Sequence, residues 1–97
     1  MPSVNITVKW PNGQQDNFYS PSTIVYEYFK KGQQWQGHEF LTQAETALEA
    51  ASERVRARYG FACSSAMDTL NRIQAKVHHL ALQPTDYIEI TDIYNID

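Results

Sequence analysis

The sequence predicts an α+β fold in two layers: a three-stranded sheet, made of an N-terminal β-hairpin and a C-terminal strand, covered by a long antiparallel αα-hairpin, with a short extra helix. Three observations predict it. Residues 4–10 alternate between apolar and polar, two later stretches repeat apolar residues every three or four positions, and residues 87–91 (Tyr-Ile-Glu-Ile-Thr) return to strand composition. With 97 residues, 42% hydrophobic and 12% aromatic, the chain has the size and the core of a single domain spanning residues 1–97.

Val4, Ile6, Val8 and Trp10 face one way and Asn5, Thr7 and Lys9 the other, the pattern of a strand with one buried face. Pro11-Asn12-Gly13 supplies a fixed φ, a residue tolerant of the left-handed region and a glycine, the chemistry of a type I turn with a bulge. A second strand is expected at about residues 15–19. Ser20-Pro21 reads as an N-cap with proline at the first helical position, and Ile24, Val25, Tyr28 and Phe29 then share a face of a short helix. The β-branched Thr23, Ile24 and Val25 suit a strand as well, so residues 21–29 stay open between the two. Residues 30–37 are Gln-rich, contain Gly32, Gly37 and Trp35, and read as an irregular surface loop suited to a mobile lid.

Leu41, Ala44, Leu48, Ala51 and Val55 mark an amphipathic helix over about residues 38–59. Glu39, Glu45 and Glu49 lie toward its start and Arg54, Arg56 and Arg58 toward its finish, as the helix dipole favours, and Gly60 suits a left-handed C′ position with Phe61 packing back. A second helix starts near Ser64 or Ser65, where Ser65-Ala66-Met67-Asp68 resembles a capping box. It turns Ala66, Leu70, Ile73, Val77 and Leu80 inward and stops before Pro84. The short link makes the pair an antiparallel hairpin. The tail to Asp97 is expected to be only partly ordered.

Eight Lys and Arg against eleven Asp and Glu give a formal charge of −3, so no general field draws the surface toward nucleic acid or anionic lipid. The apolar runs are far shorter than the roughly 20 residues that span a bilayer. A single cysteine and a Met-Pro-Ser-Val start without a secretory pattern fit the cytoplasm. The common dinucleotide, phosphate-loop, zinc-protease and serine-hydrolase motifs do not occur, so no cofactor, metal or catalytic set is expected.

Cys63 sits just before a helix start, where free N–H groups and the dipole favour a thiolate, with Arg56 and Arg58 nearby in sequence. Burial at the helical corner with Tyr59 and Phe61 explains it at least as well, because free cysteine is among the most buried residue types. His78 and His79 lie roughly 23 Å from Cys63 along one helix, too far for a dyad. His38, by contrast, comes level with both in an antiparallel hairpin, where solvated histidines are favoured over a metal site. Arg54 with Arg58, and Arg72 with Lys76, are pairs able to meet a phosphate or carboxylate, although ion pairs with Glu49, Glu53 and Asp68 account for them more simply. Trp35, among Tyr26, Tyr28, Phe29 and Phe40, is either core or part of a partner groove. Cys63, Arg56, Arg58, Tyr59 and Trp35 are therefore the candidate binding residues.

The run Arg54-Val55-Arg56-Ala57-Arg58-Tyr59-Gly60-Phe61-Ala62-Cys63-Ser64, with Lys9-Trp10-Pro11-Asn12-Gly13 and Tyr19-Ser20-Pro21-Ser22, resembles the bacterial nitrogen starvation response protein family, which is also met in gene neighbourhoods containing a nitrilase. The resemblance covers roughly residues 5–82. Tyr26, Lys30-Lys31 and the acidic tail look particular to this chain. The resemblance implies a small cytoplasmic protein linked to nitrogen metabolism or nitrile-related chemistry, and it brings no catalytic residues. The expected function is a non-catalytic accessory protein that binds a protein partner or a small molecule of nitrogen metabolism, with homodimerisation compatible. The alternative is a small thiol-dependent enzyme, or a redox or electrophile sensor, in which Arg56 or Arg58 lowers the pKa of Cys63.

Overall fold

The computed structural model describes residues 3–60, 64–83 and 85–96. The alternating stretch at the start forms β1 (Val4–Lys9), and β2 (Gln15–Ser20) pairs with it antiparallel. Their turn has the expected chemistry. The Gly13 amide donates to the Trp10 carbonyl at 2.9 Å, the Trp10 amide donates to the Gln14 carbonyl at 2.8 Å, and Gly13 holds φ at +90°. The Asn12 side chain secures the exit by accepting from the Gln14 amide at 3.0 Å.

Residues 21–29 resolve as a short 3-10 helix over Thr23–Glu27. Its cap is Ser22, two residues later than the sequence suggests: the Ser22 hydroxyl accepts from the Ile24 amide at 3.2 Å. Ser20 is instead buried and donates its hydroxyl to the Ser22 carbonyl at 2.9 Å, which turns the chain off the sheet. Val25 and Phe29 go into the core.

The sheet has four strands where the sequence predicts three. Gln34–Gln36 forms β3, placed inside the expected surface loop, and the order is β2-β1-β4-β3 with β4 at Tyr87–Asn95. Gln34, Trp35 and Gln36 pair antiparallel with Glu89, Ile88 and Tyr87. The Ile90 amide donates to the Gln33 carbonyl at 2.8 Å and the Gly32 amide to the Ile90 carbonyl at 2.7 Å, so even the approach to β3 is laced to β4. A strand of three residues carries too little alternation to show in sequence, and it exists here because β4 offers it an edge. The lid expectation for residues 30–37 is corrected accordingly.

The C-terminal end is also more ordered than expected. β4 runs nine residues and pairs with β1 as far as Asn95, opposite Val4. A register shift beside Thr7 makes Thr91 the extra residue of a β-bulge, and its hydroxyl donates to the Thr7 carbonyl at 3.2 Å. The bulge changes the phase of the strand. Ile88 and Ile90 before it and Ile93 after it all pack on the helix side, while Asp92 and Tyr94 share the other face with Thr7 and Asn5.

Helices α1 (Gly37–Tyr59) and α2 (Ser64–Leu80) cover that inner face. From α1 come Phe40, Ala44, Ala47, Leu48, Ala51 and Val55, and from α2 Ala66, Leu70, Ile73 and Val77, against Val4, Ile6, Val8, Trp10, Phe18, Ile88 and Ile90 of the sheet. Trp10 is the hub. Its ring meets Phe18 and Phe40 edge-on at 6.2 and 6.0 Å, and its indole N–H donates to Asp16 at 2.7 Å, so one side chain joins hairpin, sheet and α1 with its polar atom satisfied.

Gly60 ends α1 with φ at +84°, and its amide donates to the Arg56 carbonyl at 2.8 Å, the left-handed cap that the sequence predicts. The packing expected of Phe61 and Cys63 falls outside the described residues. Among the described residues a Cβ on Gly60 meets no atom within 4 Å, so Gly60→Ala carries a conformational cost without a clash there. It is expected to lower stability by about 1 kcal/mol, seen as a lower urea midpoint at unchanged slope. An unmoved midpoint would contradict the left-handed cap.

Candidate functional site

Two junctions of the fold meet at one end of the helical layer. β3 runs directly into α1, so the pairing of Gln36 with Tyr87 fixes where Gly37 and His38 stand. At the same end α2 finishes at Leu80 and the chain turns back through Ala81, Leu82 and Gln83 toward β4. Between the junctions lies a cavity of about 570 Å³. Leu41, Val77 and Leu82 give its apolar wall, and Gln36, His38, Gln74, His78 and Gln83 its polar groups. Among the described residues no carboxylate, ammonium or guanidinium is in the wall. Gln74 is oriented from outside the cavity, its Nε2 donating to Glu45 Oε1 at 3.4 Å.

Two backbone features shape this cavity. Ala81 has φ at +48°, the only positive φ at a non-glycine residue among the described residues. Its amide still bonds the His78 carbonyl at 3.2 Å, so α2 ends in the left-handed manner of a glycine cap with an alanine in the position. That turn brings Leu82 onto the backbone of Gly37, where a Cβ would stand 3.0 Å from Leu82 Cβ and Cδ1. The turn is then closed by Asp86, whose carboxylate accepts from the Gln83 amide at 2.9 Å while its own amide donates to the Gln83 carbonyl at 2.9 Å.

Of the three histidines that antiparallel geometry levels, His38 and His78 line this cavity. His79, about 100° further around α2, lies in a separate groove with Asp16, Phe18, Arg72 and Lys76. Among the described residues no three His, Cys, Asp or Glu side chains gather as a metal site.

The residues singled out from sequence fall in two places. Trp35 packs its ring edge on Phe29 at 5.9 Å, donates its indole N–H to Gln33 Oε1 at 3.3 Å, and borders a shallow groove with His38 beside the cavity. Arg56, Arg58 and Tyr59 stand at the far end of α1, about 30 Å from His38 along the helix. There Arg56 pairs with Glu53 at 3.7 Å with both side chains in solvent, and the Arg58 guanidinium lies 5.9 Å from the centre of the half-exposed Tyr59 ring. Cys63 is outside the described residues. The structure therefore joins Trp35 to the histidine end and separates it from the arginines. Gln36, Gln74 and Gln83 gave no sequence signal, because glutamines without a motif look like solvated surface.

The family model for the nitrogen starvation-induced protein NitG matches residues 5–93. The chain belongs to that family. The match runs from β1 into β4 and so includes every element that forms the cavity. It bears out the resemblance seen in the Arg54–Ser64 run and extends it across the C-terminal strand, while a nitrilase neighbourhood is no part of it. Comparisons with curated proteins and with solved structures give no match. Among the described residues no helix is long and apolar enough to cross a membrane.

The Ala81 turn can be checked directly. Left-handed φ costs an L-residue roughly 1–2 kcal/mol, and the extra unfolded-state freedom of glycine returns about 0.5–1 of that. Ala81→Gly is therefore expected to stabilise the protein by roughly 0.5–1 kcal/mol in urea denaturation, and a loss of stability would place Ala81 outside the left-handed region.

Proposed function

We propose that the protein is a non-catalytic binding module of the nitrogen-starvation response, and that it holds a small uncharged molecule in the cavity between the start of α1 and the end of α2. The cavity wall carries this reading. Its volume lies within the few hundred to a thousand Å³ of ordinary ligand sites, and it combines an apolar surface with a few convergent polar groups. Each carboxamide offers both a donor and an acceptor, and each imidazole can offer either. That inventory matches a ligand with its own paired donor and acceptor, such as an amide, a urea or a lactam. Among the described residues the wall holds no carboxylate, ammonium or guanidinium to compensate the desolvation of a ligand with a fixed charge.

The chemistry of the wall favours binding over catalysis. Among the described residues of the cavity, His38 and His78 have no serine, lysine or carboxylate beside them to activate as a nucleophile. Membership of a nitrogen starvation-induced family supplies the context in which a nitrogen-bearing ligand would be present. Arg56, Arg58 and Tyr59 would then serve a second contact at the other end of the molecule, beyond the ligand.

The test is thermal denaturation of the purified protein with small-molecule extracts from nitrogen-starved and nitrogen-replete cells. A ligand at about ten times its Kd adds roughly 1.4 kcal/mol, a rise of several degrees in Tm for a domain of this size. Extract from starved cells is expected to give that rise with the native protein but not with Leu41→Trp, which fills the cavity, or Gln74→Leu, which removes a donor and an acceptor. An equal rise in all three proteins, or no rise in any, would overturn the proposal. The thiol alternative separates in the same preparation, because it requires iodoacetamide to label Cys63 in the folded state.

A further inference from the structure

The two edges of the sheet differ in a way that the cavity does not explain. β3 is a three-residue edge, too short to invite another strand. β2 is six residues long, holds register with β1 from Gln15 to Ser20 without a bulge, and contains neither proline nor lysine, and its one charged side chain, Asp16, is engaged by Trp10 and Lys76. Because Trp10 and Gln14 bond across the turn, antiparallel alternation points the backbone N–H and C=O groups of Gln15, Asn17 and Tyr19 away from β1. Among the described residues no strand lies beyond them.

A groove of about 540 Å³ runs along this edge, between β2 and α2, with Arg72, Lys76 and His79 over Phe18 and Asp16. On a chain of net charge −3, Arg72 and Lys76 make this a local cationic strip. Its one carboxylate is already engaged: Asp16 accepts from the Trp10 indole N–H at 2.7 Å and sits 3.9 Å from Lys76 Nζ. The Arg72 guanidinium stacks on the Phe18 ring at 5.2 Å and makes no ion pair among the described residues.

We propose that β2 is a docking edge for an extended acidic segment of a partner protein, which adds to the sheet as a fifth strand and sets its carboxylates against Arg72 and the Lys76–His79 pair. The spacings agree. Arg72 stands over Phe18 and Lys76 at Asp16 and Gln14, so α2 runs along β2 in the opposite direction. One helical turn from residue 72 to residue 76 rises about 6 Å, close to the roughly 6.7 Å between alternate side chains of a strand. Carboxylates two residues apart on the added strand therefore meet successive cations, while its backbone bonds the outward groups of Gln15, Asn17 and Tyr19. A second copy of the chain fits this edge poorly, because a twofold pairing of β2 with itself brings two sets of these cations together on the same side of the joined sheet. The inference stands independently of the cavity ligand.

The experiment is an amide-resolved NMR titration of the full ¹⁵N-labelled chain with a synthetic eight-residue peptide of alternating Glu and Val, and with its Lys–Val counterpart. The Glu peptide is expected to shift the amides of residues 15–19 and 72–79, with an affinity that falls at least tenfold in Arg72→Gln/Lys76→Gln. Asn17→Pro removes one outward donor while leaving the β1 ladder its bonds, and it is expected to weaken binding without touching the charges. No shifts at up to millimolar peptide, shifts centred elsewhere, or an equal response to the Lys peptide would overturn the proposal. So would a dimer of the chain alone, in sedimentation, that Asn17→Pro dissolves, since the occupant would then be a second copy.

Discussion

The antiparallel pairing of β1 with β4 holds the molecule together. It joins residues from the two ends of the chain, Thr7 with Thr91 among them, and it forms the centre of the sheet, so that β2 depends on β1 and β3 on β4. Closing so long a loop carries an entropic cost that grows only slowly with length. The contact meets that cost by burying Val4, Ile6, Val8, Ile88 and Ile90 almost completely under the helices. The bulge at Thr91 lets β4 continue past its apolar start, turning Ile93 inward and extending the pairing to Asn95.

The site follows from the same constraint. β4 provides the edge on which β3 forms, β3 leads without a break into α1, and the turn that feeds β4 ends α2. The histidine end of the helical layer is thus built from segments that all answer to β4. The left-handed Ala81 and the close seat of Leu82 on Gly37 are local consequences, because the chain must leave α2 and reach Tyr87 within a few residues. On the opposite side, α2 is tied to the hairpin through Lys76, which donates to Gln14 at 2.9 Å, and through Arg72 on Phe18. The cavity and the cationic strip are therefore separate features on two sides of one helix.

What the sequence made legible is what local periodicity and turn chemistry encode. The alternation of β1, the Pro11-Asn12-Gly13 turn, the two amphipathic helices and the cap at Gly60 all follow from neighbours within a few residues, and all are present. β3 was not legible because three residues cannot display a period. The second half of β4 was hidden by the bulge: Ile88 and Ile90 set one phase, Ile93 the other, and a strict alternation rule stops at the change. The cap at Ser22 was missed because Ser20 and Ser22 are chemically alike and only the buried position of Ser20 distinguishes them. In the site, antiparallel geometry brought His38 level with His78 from sequence alone. The glutamines, Gly37 and Ala81 became visible only when the junctions placed them around one space. Trp35 proved to belong to that end, far from the arginine cluster with which it had been grouped.

Native-state hydrogen exchange tests the central role of the β1–β4 pairing most directly, because it measures which hydrogen bonds open only when the whole molecule unfolds. The pairing predicts that the amides bonded between β1 and β4 exchange with the full free energy of global unfolding obtained from urea denaturation, and that no other segment outlasts them. Exchange of the β4 amides through a smaller, local opening while α1 and α2 remain protected would contradict it, and would make the helical hairpin the part on which the rest depends.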